Sequence, residues 1–159
     1  MEKNKLVSSI IIVLIFIAII VIAWPYMSKK PAATNTATNT METQTLPDGL
    51  KITILTPGSG VAAKMGDTVS VNYTGMLEDG KVFDSNVDPK FGHVQPFDVE
   101  NLGQAMVIKG WNEGLIGMQV GEKRRLYIPA ELGYGARGAG AAIPPNANLV
   151  FEVEVLKIN

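Results

Sequence analysis

No cysteine occurs in this chain, so it forms no disulfide, offers no thiol nucleophile, holds no metal through thiolates and carries no lipidated amino-terminal cysteine. Histidine is nearly absent too. The lone His93 lies in the loop-like stretch "DPKFGHVQP", where one imidazole reads as a solvated side chain rather than a metal ligand or triad member. Neither sign of charge dominates: 14 Lys+Arg stand against 15 Asp+Glu, a net charge of -1. With no basic stripe and no aromatics interleaved in one, nucleic acid is excluded as the expected partner. H-E-x-x-H and C-x-x-C motifs are missing and Ser85 has no base beside it in sequence, which disfavours nucleophilic or metal-assisted chemistry. No cofactor is expected.

What the chain has in excess comes first at its amino terminus. Leu6 to Ala23 reads "LVSSIIIVLIFIAIIVIA", uncharged, and close to the roughly 20 residues a helix needs to cross hydrocarbon. Trp24 and Tyr26 follow it as interfacial aromatics, with lysines on both sides. A signal-peptide core is shorter, about 7 to 15 residues, and no small-x-small cleavage site follows in "AWPYMSKKP". The reading is a tail at 1–5, an uncleaved transmembrane anchor at 6–26 and a flexible linker at 27–45, whose "SKKPAATNTATNTMETQT" is too polar to bury a core. Nearly balanced lysines leave orientation open to the positive-inside rule; a signal anchor would insert with its amino terminus inside and residues 46–159 outside the cytoplasm.

Residues 46–159 carry the alternation of antiparallel strands. Apolar positions repeat in steps of two at Leu50, Ile52 and Ile54, at Val69, Val71 and Tyr73, through Leu126 and Ile128 after Arg124, and at Leu149, Phe151, Val153 and Val155. Asp79-Gly80 predicts a reversal into a short strand at Val82 and Phe83, pairing the strands of Tyr73 and Phe83. Helical spacing occurs in "MVIKGWNEGLIGM", with Val107, Trp111 and Leu115 on one face and Gly117 and Gly121 ending it. The fold class is therefore α+β: a curved antiparallel β-sheet, or half-barrel, wrapped around one short amphipathic helix and preceded by a single transmembrane helix.

"GYGARGAGAAIPP", Gly133 to Pro145, spells G-x-G-x-x-G, but a dinucleotide loop must open a helix. Pro144 and Pro145 follow instead and bias Ile143 to extended geometry, so the stretch reads as a stiff apolar loop beside aromatic strands.

Several stretches, in order, carry a more specific likeness: "VNYTGMLEDGKVFDSN", "PFDV", "VIKGWNEGLIGMQVGEKRRLYIP", "GYGARG" and "AAIPPNANLVFEVEVLKI". With them, Leu46 to Asn159 resembles an FKBP-type peptidyl-prolyl cis-trans isomerase. The resemblance implies a pocket for proline between sheet and helix. In it Tyr73, Phe83, Asp84, Trp111, Tyr134 and Phe151 would be catalytic, with the Trp111 indole as floor, and Phe97, Val107, Ile108 and Ile143 would bind substrate. It also implies Pro-containing polypeptides as substrates, macrolide immunosuppressants as ligands, and a monomer. The alternative is a chaperone or peptide-binding module that holds Pro-containing segments without turnover. Met106 departs from the family's common Glu, Ala139 from a His or larger residue, and "NVDPKFGHVQ" from the usual length or composition.

The anchor has a direct test. A reporter active only outside the cytoplasm, fused after Asn159, is expected to work; activity of a cytoplasm-only reporter at that position overturns the orientation.

Overall fold

Strand alternation sets the architecture of residues 43–159, the part of the chain that the computed structural model describes. The expected anchor at 6–26, and the linker as far as residue 42, lie outside the described residues. Among those described, no helix is long and apolar enough to cross a membrane.

The strands are β1 (Thr43–Thr45), β2 (Lys51–Thr56), β3 (Ser59–Ala62), β4 (Val69–Leu77), β5 (Val82–Ser85), β6 (Phe97–Val99), β7 (Gln119–Val120), β8 (Lys123–Ile128) and β9 (Leu149–Ile158), with one α-helix, α1 (Lys109–Gly114). The main sheet runs β1-β2-β8-β9-β4-β5, with β6 also on β4, and every pairing is antiparallel. β3 and β7 form a small second sheet. In β4 and β9 the apolar residues Val69, Val71, Val153 and Val155 face inward and are fully buried, while Ser70, Asn72, Glu152 and Glu154 alternate with them on the other face. The Asp79-Gly80 reversal forms as expected: Gly80 has φ +84° and the Asp79 carboxylate accepts from the Lys81 N–H at 2.9 Å.

Two boundaries differ from the expectation. Thr43–Thr45, assigned to the linker, is instead a strand at the sheet edge, with Thr43 opposite Thr53 and their hydroxyls 2.7 Å apart. Its residues are all exposed and offer no apolar periodicity, so backbone pairing alone makes the strand. The helix is shorter than the spacing predicts. Val107 precedes it, Ile108 caps it in extended geometry (φ −60°, ψ 151°), and Leu115 closes it.

α1 approaches the sheet through glycine rather than through an apolar stripe. A Cβ on Gly110 would lie 2.5 Å from the Ile128 side chain, and one on Gly114 would lie 2.7 Å from that of Leu126. Trp111 and Leu115 are buried with Met118, Leu126 and Ile128 between helix and sheet. The helix's carboxyl end meets a buried cation: Arg124 of β8, 8% exposed, donates from Nη1 to the oxygen of Gly114, the last helical residue, at 2.9 Å and to the oxygen of Ile116, just beyond the cap, at 3.0 Å. A cation at a helix carboxyl end complements the dipole and pairs carbonyls that have no partner within the helix. Its charge is matched by Glu122, 4% exposed, which also accepts from the Gln119 N–H at 3.0 Å. Arg125, by contrast, pairs with Glu152 on the exposed face at 2.6 Å.

Arg124→Ala, which leaves the buried Glu122 unpaired, should lower the urea-unfolding free energy by about 3–5 kcal/mol. Arg125→Ala should cost no more than about 1 kcal/mol. Similar losses for the two would contradict the role given to the buried pair.

Candidate functional site

The inward-curving end of the sheet and the amino end of α1 leave one slot between them. Tyr73 (β4), Phe83 and Asp84 (β5), Phe97 (β6), Val107, Ile108 and Trp111 (around the start of α1), Tyr134 (in the loop after β8) and Phe151 (β9) all line it. Met106 joins them, fully exposed at the edge. The slot encloses about 260 Å³, below the roughly 300–1,000 Å³ of sites that engulf drug-sized ligands. One small ring with its neighbours outside is the occupant that fits.

The walls are rings meeting edge to face. Trp111 lies 5.3 Å from Tyr73 at 80° and 5.2 Å from Phe151 at 83°, and Phe83 lies 5.6 Å from Phe151 at 83°. Phe97 reaches Trp111 at 6.0 Å and 75°. Such arrangements set the positive edge of one ring against the negative face of another, and they leave the slot stiff. The Trp111 indole Nε1–H at the floor is buried without a hydrogen-bond partner.

Gly75 makes room for this wall. A Cβ there would come within 2.6 Å of the Phe151 ring and 2.8 Å of the Phe83 ring, so this strand residue, opposite Phe151 on β9 and Asp84 on β5, must lack a side chain.

Apart from the Trp111 indole N–H, the polar groups gather at the mouth. The Tyr73 hydroxyl donates to Asp84 Oδ2 at 2.7 Å, and the other oxygen, Oδ1, lies 2.9 Å from His93 Nε2. Burial first, then the Asp84 bond and charge, push the Tyr73 hydroxyl well above the ordinary tyrosine range. Burial and the Asp84 charge raise Tyr134 as well. Both phenols therefore stay protonated, as donors, at neutral pH.

One expected site residue does not join the others. Ile143 is 5% exposed and packs in the core instead of lining the slot. Its backbone exchanges hydrogen bonds with Ala139 at 2.9 and 3.1 Å, which folds the loop back on itself and turns the side chain's surface inward. Gly138 (φ +65°) permits that closure, since a Cβ would overlap the Ile143 carbonyl and lie 2.9 Å from the Pro144 carbonyl carbon. His93 is an exposed loop side chain, as expected, and it also lies against Asp84 at the mouth. The signal missing from the sequence was the loop's path, which Asn86 fixes by donating to the Val71 and Gln95 oxygens at 3.0 and 2.9 Å.

A curved antiparallel sheet over one short helix, with an aromatic-lined slot between them, is the frame of the site. Residues 60–156 match the family model of the FKBP-type peptidyl-prolyl cis-trans isomerases, and the chain belongs to that family. It is 52% identical over 110 residues to an FK506-binding protein of Neisseria meningitidis serogroup B, covering 69% of this chain and 96% of that one. It is 55% identical over 98 residues to the human peptidyl-prolyl cis-trans isomerase FKBP2, covering 62% and 66% respectively. The crystal structure of FkpA from Escherichia coli superposes with a TM-score of 0.64 at 43% identity, over 74% of this chain and 51% of the FkpA chain. The activity is peptidyl-prolyl cis-trans isomerisation.

Gly75→Ala should force the Phe83 and Phe151 rings apart. Overpacking of this kind costs about 1–3 kcal/mol, to be read by urea unfolding together with displaced ring resonances of Phe83 and Phe151; unmoved rings would contradict the contact.

Proposed function

We propose that the proline ring of an X–Pro segment enters the slot over Trp111, with Tyr73, Phe83, Asp84, Tyr134 and Phe151 around the twisting amide and Phe97, Val107 and Ile108 against the flanking residues. The observation that carries this reading is the set of edge-on rings around a small cavity, with hydroxyl and carboxyl groups at its mouth and the unpaired Trp111 Nε1–H at its floor. An X–Pro bond is held planar by amide resonance behind a barrier of about 18–20 kcal/mol, and the planar form is the more dipolar one. An apolar slot favours the twisted, less dipolar state, and no bond to protein is needed. The Tyr134 hydroxyl and the Ile108 backbone N–H hold the neighbouring carbonyls in the twisted geometry, while Asp84, itself held by Tyr73, borders the carbonyl at the rim. A ten-thousandfold acceleration requires only about 5.4 kcal/mol of preferential transition-state binding, within reach of one apolar slot with a few fixed donors.

FK506 is the ligand in the names of several relatives, and the same slot is the site proposed for FK506-type macrolides here. The apolar run from Leu6 to Ala23 supports the rest of the reading: a single-pass anchor that holds the isomerase at the outer face of a membrane, acting on chains that fold there.

Isomerisation of a blocked Leu-Pro peptide tests the assignment. Phe151→Leu, which removes ring contacts to Trp111, Phe83 and Tyr73, should lower kcat/KM about tenfold, since each such pair contributes about 0.5–1.5 kcal/mol. Glu154→Gln, on the opposite sheet face, should stay within about twofold of the parent. Equal losses at comparable thermal stability, or a rate that FK506 does not reduce, would refute the slot as the site.

A further inference from the structure

The Asp84 carboxylate is gripped at both oxygens, by the Tyr73 hydroxyl at 2.7 Å on Oδ2 and by His93 Nε2 at 2.9 Å on Oδ1. The first partner is a fixed donor. The second is an imidazole, which meets the carboxylate differently in its neutral and protonated forms. A neutral imidazole donates from Nε2 only in one tautomer; in the other, its lone pair faces the carboxylate. Protonated, it always donates, and the charge-assisted bond is about twice as strong as a neutral one.

The loop that presents His93 is built to hold it there. Asn86, 3% exposed, accepts from the Tyr73 N–H at 2.7 Å and ties the loop's far end through the Gln95 oxygen at 2.9 Å. Between these points, the Asp88 carboxylate caps the turn Pro89–Phe91 by accepting from the Lys90 N–H at 3.1 Å. Gly92 follows with φ +78° and turns the chain toward the mouth.

We propose that His93 is a positioning residue of this isomerase, fixing the Asp84 rim group more firmly when protonated and so making catalysis faster at lower pH. The inference rests on the reading of Asp84 as a group that borders the substrate carbonyl. Few other charges compete for the pair. Tyr73 from β4 and Tyr134 from the loop after β8 face Asp84 as neutral phenols. β6 and the start of α1 contribute the uncharged Phe97, Val107 and Ile108. Asp88 and Lys90, on the same loop as His93, pair with each other at 2.7 Å.

The test is the pH profile of the full-length protein on blocked Ala-Leu-Pro-Phe, a probe with no group titrating in this range, followed by exchange NMR. From pH 8.0 to 5.5 the parent should gain about threefold in kcat/KM along a one-proton curve, since a charge-assisted bond outweighs a neutral one by a fraction of a tenfold step. His93→Gln, which donates an uncharged N–H, should be flat near the parent's pH 8.0 value. A flat parent profile, or the same step in His93→Gln, overturns the proposal. Asp84→Asn separates the two readings. If it lowers activity while the His93 profiles show no difference, only the role of His93 falls; if it leaves activity intact, the assignment of Asp84 falls and this inference with it.

Discussion

The close seat of α1 on β8, made possible by two glycines, is the constraint from which the rest of the site follows. Gly110 and Gly114 face Ile128 and Leu126 without a Cβ between them, so a helix of six residues lies directly on the sheet. Trp111 sits between those glycines in sequence, and its contacts at 5.2 and 5.3 Å with Phe151 and Tyr73 depend on the helix height. Dispersion falls off steeply: a gap of about 0.5–1 Å already forfeits a quarter to a half of a contact. A helix so short has little stability of its own. It is held by what it touches, above all by Arg124, which reaches from the sheet to its carboxyl end.

The molecule thus uses polar pairs in two different settings. Under the helix, Arg124 and Glu122 are sealed from water and serve packing, where loss of either partner is costly. At the slot's mouth, Asp84 and His93 are both partly exposed, and there a pair contributes little to stability but keeps contact with solvent protons. The slot between these settings is lined mainly by aromatic and aliphatic side chains, with Asp84 and two tyrosine hydroxyls, the arrangement on which the proposed handling of a twisting amide rests.

The strands with period-two alternation were legible from sequence because each has a buried face, and Tyr73, Phe83, Phe97, Trp111 and Phe151 could be gathered to one region through strand pairing and resemblance. β1 was not legible: Thr43, Gln44 and Thr45 are all exposed and leave no pattern. The helix was placed but overextended, since Val107 keeps the helical spacing while lying in the approach to it. Ile143 was misplaced because a proline-bounded apolar residue looks the same whether it walls a slot or plugs the core, and a backbone pairing with Ala139 decides which. The contact of His93 with Asp84 was not legible because the two lie nine positions apart in sequence and meet only through a loop closed by Asn86. Gly75 belongs with it: a glycine in a strand signals close approach, yet only the fold shows that the neighbours are the slot's own rings.

The chain enters the sheet through β1, an exposed edge strand of three residues, at the far end from β4 and β5. A force arriving from upstream of Thr43 is therefore taken up first by a short ladder on β2 alone. β2 itself is held on its other side by β8, and β9 stands between β8 and the strand that carries Tyr73. β1 is thus the first ladder that a pull from upstream would meet, and the slot strands β9, β4 and β5 lie three, four and five places further along the sheet.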